Sequence, residues 1–73
     1  MSVKLKVGKT YEVRSPSEVK KDKEYNQIIV TILYKTESRY GYIGDNGLSY
    51  TIDGLWISKR SESIFDLVKE ITT

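Results

Sequence analysis

The chain contains no cysteine and no histidine. The first absence excludes disulfide staples and thiolate metal sites. The second removes the usual general base near neutral pH and the commonest metal ligand. Proline occurs once, at Pro16. No apolar run approaches the roughly 20 residues that a membrane-crossing helix needs. The first six residues, Met1-Ser2-Val3-Lys4-Leu5-Lys6, hold no apolar stretch of the kind a secretory signal requires. A cytoplasmic location is therefore expected, and the missing cysteines agree with a reducing compartment.

With 73 residues the chain is sized for one domain spanning 1–73. A domain this small buries only about 60% of the surface its unfolded chain exposes. Its stability must come from aliphatic and aromatic packing, with self-association into a homo-oligomer as an aid. The net charge of +2 is too small to argue for nucleic acid. Its distribution is uneven: residues 1–23 carry seven bases against three acids, and the remainder five bases against seven acids. A mixed, solvated surface accounts for this pattern.

Leu5 and Val7, then Tyr11 and Val13, alternate with polar residues around Gly8, which reads as one or two short strands with a kink. Pro16 ends the run because it cannot donate to a ladder. Residues 15–24 are dense in charge and read as an exposed loop, with a weak helical turn at Glu18 to Lys23. Tyr25 to Tyr34 is the strongest segment. Ile28, Val30, Ile32 and Tyr34 share one face at period two, and Ile29 and Leu33 the other. It is expected to be the central strand, partly buried on both sides.

Arg39 to Ile43 reads as the next strand, with Tyr40 and Tyr42 on one face. Asp45-Asn46-Gly47 is a tight turn, since Asn and Gly tolerate positive φ. Leu48, Tyr50 and Ile52 alternate with polar residues. Asp53-Gly54 is a second turn signal, after which Leu55, Trp56 and Ile57 open another strand. In the tail, Ile64, Leu67, Val68 and Ile71 lie at helical spacing, with Ser63 as cap and Asp66 in the first turn. Spacing favours a short C-terminal helix over a closing strand. The fold class expected is mainly β: a small antiparallel five-stranded SH3-like or OB-like barrel.

The segments Val7-Gly8-Lys9-Thr10-Tyr11-Glu12-Val13-Arg14, Ser49-Tyr50-Thr51-Ile52-Asp53-Gly54-Leu55-Trp56 and Ser63-Ile64-Phe65-Asp66-Leu67-Val68 together resemble small bacteriophage and prophage proteins. Those carry a VGKTY segment, a DG-W hairpin and a DLV tail in the same order. This chain departs after Arg14, where a charged insertion, Ser15 to Glu24, intervenes. The resemblance implies a phage origin, a host-cytoplasm setting and a β-fold. It also implies an extended tail, against the helical spacing. It brings no catalytic residues and no cofactor.

Enzyme chemistry finds little support in the residues. The serines have no histidine partner for a charge-relay triad. Asp45 and Asp53 sit where turn chemistry asks for Asp. The glycines are scattered at turns and form no phosphate loop. Eight aromatics in 73 residues point instead to binding. Tyr and Trp, with Arg, dominate protein-interface hot spots. The candidate partner-binding residues are Arg39, Tyr40, Tyr42, Trp56 and Arg60. The expected role is a non-enzymatic accessory protein that binds a host or phage protein. The alternative is single-stranded nucleic acid, with bases stacked on the same aromatics and phosphates on neighbouring basic side chains.

Overall fold

The computed structural model describes residues 3–56 and 63–71. Five antiparallel strands and one short helix form the described architecture: β1 (Thr10–Val13), α1 (Pro16–Val19), β2 (Ile29–Lys35), β3 (Tyr42–Gly44), β4 (Ser49–Tyr50) and β5 (Leu67–Ile71). The strands form a single sheet in the order β4-β3-β2-β1-β5. It curls into a half-barrel consistent with a small SH3-like or OB-like barrel. Backbone bonds draw its two ends together. Leu67 N–H donates to Gly54 O at 2.8 Å, and Leu5 N–H donates to Ile52 O at 2.8 Å. The residues after β4 thereby meet both β5 and the N-terminal segment.

The core lies inside the curl. Tyr11, Val13, Val30, Ile32, Tyr50 and Leu67 are buried there, with Leu5 and Val19 closing it. Their pattern is that of strands with one face wet. Tyr11 stands opposite Val30, and Val13 opposite Leu67. Fully burying such an aliphatic side chain contributes about 1.5–3 kcal/mol before chain entropy is subtracted.

Glycine is required at two points. Gly44 has Val30 Cγ1 at 2.6 Å and Asn46 Oδ1 at 2.7 Å from where a Cβ would stand. Gly54 has φ +86 and lies against the Leu67 carbonyl, so both its conformation and its space exclude a side chain.

The expected C-terminal helix is absent; the tail is β5. Its register explains why spacing misled. Val13 faces Leu67 but Glu12 faces Lys69, so Val68 is an extra residue in a bulge. The bulge breaks period two and leaves an accidental 3–4 spacing. A second bulge falls in β2. Ile32 faces Gly44 whereas Tyr34 faces Ile43, leaving Leu33 as the extra residue. Tyr34 is thereby turned off the core-facing row that period two assigned it, and it is 54% exposed.

The charged segment after Arg14 is also more structured than an open loop. Pro16, at the first helical position, suits its fixed φ to a single turn. That turn drives Val19 fully into the core. The strand expected from Arg39 is shorter and begins at Tyr42. The continuation expected at Ile57 lies outside the described residues, although Trp56 itself bridges to Tyr50.

Candidate binding surfaces

Three of the five candidate residues gather at the tip of the β2–β3 hairpin. Side-chain bonds tighten the connection. Thr36 Oγ1 accepts Ser38 N–H at 3.3 Å, and Ser38 Oγ accepts Tyr40 N–H at 3.2 Å. Thr36 N–H donates to Gly41 O at 2.8 Å and closes the loop. These bonds put Arg39 and Tyr40 in the turn and leave Tyr42 to start β3. The Arg39 guanidinium carbon lies 5.9 Å from the Tyr40 ring centroid. Lys35 Nζ lies 5.5 Å from the Tyr42 ring centroid. Both are cation–π distances.

Two residues that the sequence reading did not single out adjoin this tip. Leu33 is 53% exposed and Tyr34 54%. Ile43 stands directly opposite Tyr34 and is half-buried. Ile29, at the start of β2, is also exposed. The signal that would have found Leu33 and Tyr34 is the bulge, which leaves no trace in composition or period.

Trp56 belongs elsewhere. Tyr42 pairs with Tyr50, and Tyr50 bridges to Trp56, so the three rings form a cross-strand row. Tyr50 at its centre is fully buried and separates the two ends. Trp56 instead packs edge-to-face on Phe65, with centroids 4.9 Å apart and planes at 62°. Together with residues 21–25 they line an open groove of about 460 Å³. Arg60 lies outside the described residues.

The pivot beneath this groove is Asp66, which is 1% exposed. Its Oδ1 accepts Trp56 N–H at 2.9 Å, and its Oδ2 accepts Ser63 N–H at 2.8 Å. Arg14 Nη2 donates to Oδ2 at 3.3 Å. One carboxylate thus ties β1, the Trp56 segment and the approach to β5. The sequence placed Asp66 only in the first turn of an expected helix, with Ser63 as its cap.

Tyr50 carries a phenol pushed up to about 12 by burial, against a smaller lowering by the hydrogen bond from Asn46. Asp22 is held below the usual carboxylate range by the backbone N–H groups of Tyr25 and then Glu24. Among the described residues, no group of three or more acidic side chains is placed to hold a metal ion, and no helix is long and apolar enough to cross a membrane.

The fold and surfaces define a small half-barrel with an aromatic hairpin tip and a separate aromatic groove. No family model, no curated protein and no solved structure matches this chain.

Proposed function

We propose that the protein is a non-enzymatic binding protein that engages another protein through the β2–β3 hairpin. The observation that carries this reading is the exposure of Leu33 and Tyr34, each more than half open to solvent, beside the Arg39–Tyr40 pair. Large apolar side chains clustered with Tyr and Arg are the composition of interface centres. The tip is held by side-chain-to-backbone bonds, so little ordering cost falls on association. The resemblance to phage and prophage proteins supplies the partner class: a bacterial host protein whose activity is blocked or modulated, or another phage protein.

The experiment is affinity capture from a bacterial lysate with the wild type and with the Leu33→Glu/Tyr34→Glu double variant. A defined partner captured by the first and lost by the second is the expected result. Both positions are exposed, so folding survives the change. Equal capture by both proteins rejects the surface.

A further inference from the structure

The hairpin surface extends beyond β2 and β3. Lys9 N–H donates to Lys6 O at 3.2 Å and closes a turn with Val7 and Gly8 at its corner. Two backbone bonds stitch this turn to β2 at Ile32. Gly8 N–H donates to Ile32 O at 2.8 Å, and Ile32 N–H donates to Lys9 O at 3.0 Å. Leu33, the bulged residue, follows Ile32 directly. Val7 is 52% exposed, as open as Leu33 and Tyr34. Three large apolar side chains, each more than half in solvent, are thus brought to one end of β2.

The charges around this patch are mostly of one sign. Lys6 and Lys9 flank the turn, Lys35 ends β2, and Arg39 lies in the hairpin connection; all four are exposed. The only acid within residues 6–9 and 35–39 is Glu37. Asp45 is bonded to Thr31, two residues before Leu33, and counts against the cations as well. The balance is still two positive charges. Among the described residues, none of the four cations enters an ion pair. Further out, Lys4 pairs with Asp53 and Glu12 stands opposite Lys69, so those four add no net charge.

A positive rim around an apolar centre is complementary to an acidic rim around an apolar pocket. The centre also favours protein over nucleic acid. Val7 and Leu33 offer a base no ring to stack on. Arg39 lies over the Tyr40 ring and Lys35 over the Tyr42 ring, occupying faces that stacking would need. We infer that the hairpin surface takes a protein partner with an acidic contact face. Val7, Leu33 and Tyr34 fill its apolar site, and Lys6, Lys9, Lys35 and Arg39 meet the carboxylates around it. This inference rests on the hairpin reading above and adds the charge of the partner. Exposed charges act over about 8 Å at physiological salt, so they speed encounter and exclude basic partners.

The probes are a random copolymer of glutamate and tyrosine, its counterpart of lysine and tyrosine, and oligothymidylate. Each is titrated at low salt into isotope-labelled protein, and the amide shifts are followed by NMR. The glutamate copolymer should move the amides of residues 6–9 and 33–39 saturably, and the lysine copolymer none of them. Lys6→Ala/Lys9→Ala weakens binding about 2- to 30-fold, the range for loss of two exposed charge contacts. Glu37→Gln tightens it. Leu33→Ser/Tyr34→Ser weakens it with every cation still in place. All these positions are exposed, so the variants fold.

Hairpin amides unmoved by the glutamate copolymer, or moved equally by both copolymers, overturn the assignment. So does a lysine or serine variant that binds like wild type. Oligothymidylate bound at the hairpin as tightly as the glutamate copolymer overturns it and gives the surface to nucleic acid. Lysate capture separates this failure from that of the hairpin reading. A partner lost from Leu33→Glu/Tyr34→Glu keeps the hairpin as an interface even where the acidic chemistry falls.

Discussion

Among the described residues, two carboxylates form ion pairs of very different weight. Asp53 accepts Lys4 Nζ at 2.7 Å, but both side chains are well exposed. Such a pair contributes roughly 0–1 kcal/mol, so Lys4→Ala leaves the denaturation midpoint almost unmoved. Asp66 is buried and holds two backbone amides besides Arg14. Asp66→Ala strands those donors and should cost about 3 kcal/mol in urea denaturation. A loss under 1 kcal/mol would show that water replaces the carboxylate freely.

Tyr50 gives a pH signature. Burial raises its folded pKa to about 12, above the ordinary phenol value of about 10. A raised folded pKa means that the unfolded state releases the proton first. The stabilisation is therefore complete below pH 10 and disappears as pH rises to 12. The loss amounts to roughly 2–3 kcal/mol. Thermal melts followed by circular dichroism across that window should show the fall, and Tyr50→Phe should flatten much of it. Tyr11, also raised mainly by burial, adds a smaller slope of the same sign.

At the scale of elements, closure of the curl depends on Gly54. Its positive φ and its contact with the Leu67 carbonyl leave no room for a methyl group. Gly54→Ala should destabilise by about 2 kcal/mol or more. Amides of Leu67 to Ile71 should then exchange faster in deuterium exchange, while those of β2 keep their protection. Uniform loss across the sheet would mean that β5 is not a separate closing element.

The same elements show what a sequence can disclose. The Asp45-Asn46-Gly47 and Asp53-Gly54 turns were legible because their backbone needs those residues, and Gly47 and Gly54 indeed have positive φ. Val30 and Ile32 were legible as core because they precede the β2 bulge. Tyr34 was not, because one inserted residue inverts every face after it. The tail failed for the same reason, through Val68. The helical turn expected at Glu18 to Lys23 lies instead at Pro16–Val19, because a segment with one apolar side chain has no period from which its start can be read. In the candidate site, Arg39, Tyr40 and Tyr42 were grouped by adjacency along the chain. Trp56 was grouped with them because the cross-strand row gives no hint that Tyr50 would be sealed at its centre.

At the scale of the whole molecule, the half-barrel separates two surfaces. Tyr42 and Trp56 are two strand spacings apart along the row, about 10 Å. The edge strand β5 presents Lys69 and Glu70, both exposed, and such charges discourage unplanned edge-to-edge pairing.

The proposal that this tip meets a partner protein is tested most directly by site-specific photo-crosslinking in bacterial cells. A photoreactive amino acid is placed at Tyr34 in one protein and at Glu70, on β5, in another. The account predicts a discrete higher-mass adduct from position 34 and none from position 70. Adducts of equal yield from both, or from position 70 alone, would contradict it.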